Sequence, residues 1–209
     1  MDWRRVIRHA GAVTIRKGEE WGSQVARPSD LRICRSDAEL ATAVAISEAV
    51  SLGVSNGDLH RTLGSPASHD RDSMQRLPVD LLRVTADGVA LVAIAHVVAR
   101  RSWWRGRIVA VMNTDHLGTW NLAPRAHPND GRFDIVDVAP AMSLRDRLQA
   151  RSRLPNGNHV PHPAITTRAV AAATWTFDQP MRLWIDGVRC GTVSHLEVQI
   201  EPDAFAILV

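Results

Sequence analysis

From Pro78 to the end of the chain, short apolar runs alternate with turn residues, and this pattern limits the fold more than any other feature. The runs 79–86 and 89–100 flank Asp87-Gly88, a dipeptide that easily adopts the positive φ angles of a two-residue hairpin turn. The loop before the next run, 107–113, is too short for a crossover helix, so antiparallel pairing is expected. Such a series of strands joined by turns predicts a β sandwich or barrel. The later predicted elements are strands at residues 133–138, 169–177, 181–185, 195–200 and 204–208, and a helix at 143–151.

The first third of the chain gives weaker signals, apart from one clear helix start. Ser36-Asp37-Ala38-Glu39 has the S-x-x-E form of a capping box and precedes good helix formers, which predicts a helix through residue 50. Short strands are predicted at residues 12–15, 31–34 and 51–54, followed by a turn into a short helix at 56–63.

Composition excludes several classes of protein. The net charge of +3 comes with cations that are almost all arginine, which allows an acidic partner such as phospholipid headgroups or nucleic acid but does not require one. Cys34 and Cys190 are far apart and form no CxxC, so neither a disulfide framework nor a structural zinc site is indicated. The charged start does not have the pattern that predicts a signal peptide. The longest apolar run, 89–98, is well short of the roughly 20 residues of a spanning helix. A cytoplasmic protein is expected.

Three stretches, in the right order, resemble the bacterial diacylglycerol kinase (lipid kinase) family of the NAD kinase and diacylglycerol kinase superfamily. LGVSNGDLHRTLG at residues 52–64 is similar to the family's G-N-D-F-A-R-x-L-G, with Asn56 and Gly57 exchanged. APRAHPNDGRFDIV at 123–136 is close to A-P-x-A-x-x-x-D-G-x-L-D-V-V, and LWIDGV at 183–188 resembles V-x-V-D-G-E. The resemblance covers about residues 52–209.

The resemblance implies an α+β, mostly β protein with an antiparallel β sandwich at residues 65–209 and a shortened, degenerate nucleotide-domain remnant at 1–64. In the family, phosphate transfer takes place in the cleft between two such domains. The family's G-G-D-G-T loop falls at residues 35–39, where only Asp37 is retained. Because glycines let backbone amides approach phosphate closely, and because 34 preceding residues are too few for several βα units, we expect ATP binding to be lost.

The decisive departure from the family is at Val188, where the resemblance places a glutamate that acts as general base for the substrate hydroxyl. Valine neither accepts nor holds a proton, so catalysis by the family mechanism is expected to be absent. Asp186 is the one nearby substitute, although an Asp-Gly pair more commonly makes a turn.

The resemblance also assigns a structural or regulatory magnesium to Asp130, helped by main-chain carbonyls near His127 and Arg132. A simple turn between Pro128 and the next strand is the alternative. No other cofactor is expected, unless the chain is active and uses ATP.

Two further groups are candidate binding residues. Asn56, Asp58 and Arg61 stand at a loop-to-helix junction and suit a phosphate, although Asp58 capping the helix and pairing with Arg61 is an equal alternative. The hairpin loop after residue 100 is rich in arginine and tryptophan, which favours a bilayer surface or stacking on nucleic acid bases, whereas simple packing of one indole is the bland alternative. Its candidate residues are Arg101, Trp103, Trp104, Arg105 and Arg107.

The leading hypothesis is a kinase-inactive relative of the lipid kinases that binds a lipid, another phosphorylated small molecule or a protein partner through the old cleft face. Apolar surface left by the missing nucleotide domain favours a protein partner or a homo-oligomer. The location is then cytoplasmic, with contact to the inner face of the membrane as one option. The alternatives are an active lipid kinase with a rearranged or partner-completed ATP site, and a nucleic-acid-binding module, which is less favoured.

Overall fold

The structure is a computed structural model that describes residues 21–46, 51–66 and 72–209. The strand predicted at 12–15 and the end of the helix predicted at 47–50 lie outside these residues. The described elements, in chain order, are β1 (Ser23–Ala26), β2 (Arg32–Cys34), α1 (Asp37–Ala45), β3 (Leu52–Val54), α2 (Asp58–Thr62), β4 (Ser73–Ala86), β5 (Val89–Ala93), β6 (His96–Arg100), β7 (Ile108–Met112), β8 (His116–Leu117), β9 (Trp120–Asn121), β10 (Phe133–Val138), α3 (Leu144–Arg153), β11 (Ile165–Val170), β12 (Ala172–Ile185) and β13 (Val188–Leu208).

Eleven strands form one hydrogen-bonded sheet. Eight of them follow the order β1-β4-β13-β12-β6-β7-β10-β11, in which every neighbouring pair is antiparallel, and β2, β3 and β5 join the sheet beside this path. The hairpin predicted at Asp87-Gly88 is confirmed, since the two residues have φ angles of 46° and 83° and join β4 to β5. The predicted antiparallel pairing of β6 with β7 is confirmed as well. The predicted fold class, mostly β with an antiparallel sandwich, is therefore correct.

The main core lies between the parts of this sheet that fold over each other. Phe133 of β10, Leu183 of β12 and Leu196 of β13 are fully buried in one cluster with side chains from β4, β5, β6 and β7. Each such side chain stabilises the fold by about 1.5–3 kcal/mol relative to its exposed state. The long strands β12 and β13 have register shifts, which let one strand take part in both halves of the sandwich.

The elements β2, α1 and β3 form a small βαβ unit at the edge of the sheet. β2 pairs parallel with β3, and β3 pairs parallel with the end of β13. Leu40 of α1 and Leu59 of α2 are fully buried in a second cluster that also contains Leu77 of β4 and Ile207 of β13. The described residues before β4 therefore share both a sheet and a core with the sandwich, while the division of the chain at residue 64 stays a prediction.

Several predicted strand boundaries differ from the structure. The run 89–100 forms two strands, β5 and β6, because the extended pairing is interrupted at Ile94 and Ala95. The runs 169–177 and 181–185 fall largely within the single strand β12, and 195–200 and 204–208 lie within β13, because irregular pairing continues across the gaps between them. The strands β1, β8 and β9 were not predicted, since each has at most four residues and no clear alternation.

The predicted helix start at Ser36 is confirmed with one difference in its bonding. The Ser36 hydroxyl accepts a hydrogen bond from Glu39 N at 3.2 Å, as a capping box requires. The Glu39 carboxylate, however, accepts from Arg35 N at 2.8 Å rather than from Ser36 N. Within the described ranges no helix is long and apolar enough to cross a membrane.

Arg147 of α3 holds the arginine- and tryptophan-rich hairpin loop onto the body of the protein. Its buried guanidinium donates to the carbonyls of Met142 (3.1 Å), Gly106 (2.6 Å) and Ala139 (3.1 Å). These bonds satisfy carbonyl groups that the irregular chain leaves without strand partners, and they tie α3 to the loop between β6 and β7.

Replacement of Arg147 by methionine keeps most of the side-chain volume and removes these donors. We expect a loss of about 3 kcal/mol in the free energy of unfolding, because several carbonyl groups are then left without partners. Urea denaturation measures this loss. The matched control is Arg145→Met, which changes an exposed arginine of the same helix. Equal losses in the two variants would contradict the role assigned to Arg147.

Candidate functional site

Four titratable side chains that the sequence scatters over 150 residues meet near one end of the sandwich. Asp37 begins α1, Asp58 begins α2, His96 begins β6 and Asp186 stands in the turn between β12 and β13. All four are buried. We call this group the acidic cluster. It contains Asp37, which the resemblance predicts to be the retained aspartate of the family's glycine-rich loop.

Asp186 is used entirely by the backbone of the neighbouring strand. Its Oδ2 accepts a hydrogen bond from Ile94 N at 2.8 Å, and its Oδ1 accepts from Ala95 N at 2.9 Å and His96 N at 3.0 Å. Burial raises the pKa of this carboxyl group, against the opposing effect of His96 and these amides. The three bonds also explain the break between β5 and β6, since these amides point to a side chain instead of a strand.

Asp37 occupies the amides at the start of α2. Its Oδ2 accepts from Asp58 N at 2.6 Å and its Oδ1 accepts from Leu59 N at 3.3 Å. Burial, followed by the nearby Asp186, raises the pKa of Asp37 to about 7. These are the free amides that the sequence offered to a phosphate, and a carboxylate of the same chain is already bound to them.

Asp58 and His96 form the other half of the cluster. Asp58 Oδ1 accepts a hydrogen bond from Gly118 N at 2.7 Å, and its Oδ2 lies 3.1 Å from His96 Nδ1. Gly187 N donates to His96 Nε2 at 3.2 Å, which requires that nitrogen to be unprotonated. Burial acts to lower the pKa of His96, but the surrounding carboxylates outweigh it, so the pKa lies above its ordinary value. A neutral ring with its proton on Nδ1 fits both contacts.

The three residues predicted to hold a phosphate are not equivalent in the structure. Asp58 is buried and faces His96, whereas Asn56 and Arg61 are exposed. The alternative, a capping Asp58 paired with Arg61, does not describe the site either, because the N-cap residue of α2 is Gly57 and it has no side-chain cap.

Val188, at the general-base position of the resemblance, is 52% exposed at the start of β13. It lines an open groove of about 990 Å³ together with Ala41 from α1, Ile46 just after α1 and Cys190 from β13. Among the residues lining this groove the carboxylates are Asp186, whose oxygens are bound as described, and Glu201, which pairs with Arg83 at 2.5 Å.

The predicted magnesium loop is organised by Asp80, a residue that the sequence did not single out. The buried Asp80 carboxylate accepts from Gly131 N and Asp203 N, both at 2.8 Å. Burial raises the pKa of Asp80 to about 6. The sequence does contain a signal for this residue, since Asp80 is an acidic side chain between the apolar Val79 and Leu81 within a predicted strand.

Asp130, His127 and Arg132 do lie together in this loop. Asp130 Oδ1 accepts from Arg132 N at 3.0 Å, and His127 packs edge-on against Trp21 with ring centroids 4.6 Å apart. Burial raises the pKa of Asp130 and lowers that of His127. In the described part of the chain no group of three or more His, Cys, Asp or Glu side chains is arranged to hold a metal ion. A cation bound through one Asp130 oxygen and main-chain carbonyls stays a prediction.

The arginine- and tryptophan-rich loop is less open than its sequence implies. Arg107 pairs with Asp137 through bonds of 3.0 and 2.5 Å, and Arg101 bonds to Gln179. Trp103 is half-buried, whereas Trp104 and Arg105 are exposed. Contact of this loop with a membrane stays a prediction.

Beside this loop the structure reveals a groove that no sequence pattern indicated. It has a volume of about 430 Å³ and begins at His96, Gly118 and Gly187, next to the acidic cluster. It ends at Trp103, Trp120 and Trp184, which come from three separate parts of the chain. We call it the tryptophan groove. An adjoining apolar cavity of about 70 Å³ lies under Trp103 and Trp120.

The sheet order, the folded-over core and the two Asp-Gly turns at Asp87 and Asp186 define an antiparallel β sandwich. The chain belongs to the family described as "YegS C-terminal NAD kinase beta sandwich-like domain", whose model matches residues 73–209. The membership predicted from the three motifs is confirmed.

Solved structures agree with this assignment at the level of the fold. A "putative diacylglycerol kinase from Bacillus anthracis str. Sterne" is similar with a TM-score of 0.62 at 13% identity, covering 85% of this chain and 77% of that one. A second structure, of a diacylglycerol kinase from the same organism, has a TM-score of 0.57 at 13% identity, with 85% and 75% covered. No curated protein matches the chain in sequence.

Replacement of Gly57 by alanine tests how tightly Asp37 is held against α2. Gly57 has a φ of +118°, and a Cβ there would lie 2.5 Å from Asp37 Oδ1. Gly64 has a φ of +81° with nothing within 4 Å of its Cβ position, so it is the matched control for backbone strain alone. In urea denaturation we expect a loss of about 1 kcal/mol for Gly64→Ala and of about 3 kcal/mol for Gly57→Ala. Equal losses would show that Asp37 moves aside freely.

The pKa of Asp37 predicts an unusual dependence of stability on pH. Because the folded pKa of about 7 lies above the reference value of 3.8, the folded state holds the proton more tightly. The resulting stabilisation is complete below about pH 4 and is lost as the pH rises through 7. We expect the stability of the wild type relative to Asp37→Asn to fall by on the order of 3 kcal/mol over this range, measured by urea denaturation.

The control for that experiment is Asp30→Asn, which removes an exposed carboxylate. Its stability difference from the wild type is expected to change little with pH. A difference between wild type and Asp37→Asn that is constant from pH 4 to pH 8 would contradict the burial of a protonated carboxyl group at this position.

Proposed function

We propose that this protein is a member of the lipid kinase superfamily that does not transfer phosphate and acts by binding a lipid or another phosphorylated small molecule. The binding face is the one that carries Val188, the acidic cluster and the tryptophan groove. The observation that carries the proposal is the state of Asp186, the carboxylate nearest the general-base position, whose two oxygens are bound by three backbone amides.

A general base must have a lone pair free to accept the proton of the substrate hydroxyl. Asp186 is only 8% exposed, and moving its carboxylate toward a substrate would leave three buried amides without acceptors. Each such loss costs about 1–3 kcal/mol. Val188, which is exposed at this place, has no group that takes a proton. These features support a site without general-base catalysis.

The segment at the place of the glycine-rich loop supports loss of nucleotide binding. Arg35 N is bound to the Glu39 carboxylate and Glu39 N to the Ser36 hydroxyl, so these amides are used within the chain. Glu39, whose pKa is lowered by the Arg35 amide, adds negative charge where a triphosphate would have to approach. A backbone cradle for phosphate needs free amides and little negative charge, and this segment offers neither.

A binding role for a protein partner or a second copy is supported by apolar side chains around the large groove. Ile46 is 61% exposed and Val188 is 52% exposed, and both line this surface. Sedimentation at several concentrations distinguishes self-association from a small-molecule role, since a strict monomer counts against the homo-oligomer.

An active lipid kinase with a rearranged or partner-completed ATP site is the alternative, and the His96–Asp58 pair favours it. A histidine 3.1 Å from a carboxylate is a side chain of the kind that accepts and donates protons in catalysis. In that case His96 would have to release its bond from Gly187 N to reach a substrate.

The test is transfer of labelled phosphate from ATP to diacylglycerol in mixed micelles with magnesium. We expect incorporation at the level of the no-protein control, and no rise in melting temperature when ATP and magnesium are added. Asp186→Asn and Asp130→Ala identify contaminating kinases, because a contaminant's activity does not change with these variants. Incorporation by the wild type that is lost in Asp186→Asn would overturn the proposal.

A further inference from the structure

Arg100, at the end of β6, is held in the tryptophan groove by two indole rings. Its guanidinium carbon lies 4.2 Å from the ring centroid of Trp103 and 3.9 Å from that of Trp184. Contact with two aromatic rings restricts the position of the guanidinium group. The position of this cation is therefore built into the fold.

No carboxylate of the described chain neutralises Arg100. Its Nε is buried without a hydrogen-bond partner among the described residues. Burial, followed by the positive charge of Arg182, lowers its pKa, and the guanidinium still stays charged at any ordinary pH. Other arginines of the sandwich differ from it, since Arg107 pairs with Asp137 and the buried Arg147 donates to several carbonyls.

The sheet pairing raises the electrostatic free energy of Arg100 when no anion is bound beside it. Arg182 of β12 lies directly opposite Arg100 of β6 in the antiparallel register. Like charges at directly opposed positions destabilise a sheet. An anion bound between or beside the two guanidinium groups would remove this repulsion, and no side chain of the described residues supplies one.

The lining of the groove extends this positive site. Arg151 lies along the groove with its guanidinium 5.2 Å from the ring centroid of Trp120, and the residues that line the groove include no aspartate or glutamate. Trp103, Trp120 and Arg151 also line the adjoining apolar cavity of about 70 Å³. A cationic groove thus shares a wall with an apolar cavity whose other lining includes Leu122 and Met142.

From this juxtaposition we propose that the tryptophan groove binds an anionic amphiphile with one alkyl chain, its phosphate group at Arg100 and the end of its chain in the apolar cavity. The cavity has room for a few methylene groups, and the remainder of the chain lies along the indoles of the groove. This inference rests on the proposed function and names the class of ligand and the residue that recognises it.

The geometry favours a phosphorylated lipid over nucleic acid. Bases bind by stacking on free aromatic faces, but Arg100 occupies faces of Trp103 and Trp184, and Trp120 is packed edge-on against Trp103 with centroids 5.2 Å apart. An alkyl chain needs only apolar walls and uses the cavity that a base cannot enter.

The experiment is isothermal titration calorimetry of the full chain with decyl phosphate, decanol, inorganic phosphate and a ten-nucleotide oligothymidylate. We expect decyl phosphate to bind at least tenfold more tightly than decanol and than inorganic phosphate, and added salt to weaken the binding of decyl phosphate but not of decanol. Arg100→Met is expected to reduce affinity for decyl phosphate at least tenfold and to leave decanol unchanged. The matched control is Arg168→Met, which removes an exposed arginine of β11 and is expected to bind as the wild type does.

The wild type tests the inference without any variant, should Arg100→Met fail to fold. Affinity for alkyl phosphates is expected to rise about threefold per methylene as the chain lengthens from butyl to octyl, because each added group is buried. Affinity that does not depend on chain length, or on the phosphate, overturns the inference. Tighter binding of the oligonucleotide, lost in Arg100→Met, overturns it in favour of nucleic acid.

These outcomes are separate from those of the phosphate-transfer assay. If decyl phosphate does not bind and no label is incorporated from ATP, the non-catalytic assignment stands and this site is wrong. If label is incorporated and decyl phosphate also binds through Arg100, the proposed function is wrong and the site stands.

Discussion

The carboxylate of Asp186 and the three amides of Ile94, Ala95 and His96 form the interaction on which this end of the sandwich depends. Without such an acceptor, three successive buried N–H groups would lack partners, at a cost of about 1–3 kcal/mol each. These three hydrogen bonds mark the end of β5, which pairs with β4, and the start of β6, which pairs with β7 and β12. They also place His96 so that it faces Asp58. The same bonds anchor the turn at Gly187, whose amide donates to the His96 ring. The acidic cluster and the part of the tryptophan groove lined by His96 and Gly187 both depend on that arrangement.

The same carboxylates illustrate how structure and catalysis compete for a side chain. A carboxylate that accepts two or three backbone hydrogen bonds is a good organiser of irregular chain, but it has no free lone pair directed at a substrate. Asp37 and Asp186 both serve in this way, one at the start of α2 and one between β5 and β6. Asp80 does the same for the loop at Gly131. Burial raises the pKa of all three carboxyl groups, so each binds a proton more tightly in the folded protein than in the unfolded chain.

The arginines of the sandwich also differ in whether their N–H groups have acceptors within the described chain. Arg147 and Arg107 are satisfied by carbonyls and by a carboxylate, and they hold the hairpin loop between β6 and β7 in place. Arg100 has the rigid support of two indoles but no acceptor within the described chain. Partial burial of Arg100 beside a second cation, Arg182, costs free energy, and this cost favours the binding of an anion at this place. The adjoining apolar cavity favours an anion that carries an alkyl chain.

The sequence by itself determined the class of fold, the family and the local turns. Alternating apolar residues identify strands, Asp87-Gly88 identifies a hairpin and Ser36 with Glu39 identifies a helix start, because these signals act between neighbours in the chain. Through the resemblance, it also predicts that Val188 stands where the family has its general base. The motif residues at Asp58, Asp130 and Asp186 were located by the same local patterns.

Only the tertiary structure decided what those residues contact. Asp58 meets His96 and Gly118, and Asp186 meets a strand about 90 residues earlier, since both contacts depend on how β6 is placed against β12. The tryptophan groove could not be predicted from the sequence, because Trp103, Trp120 and Trp184 come from three separate parts of the chain. Local patterns report the spacing of neighbours, whereas a site is made by residues whose distance is set by the packing of the whole sheet.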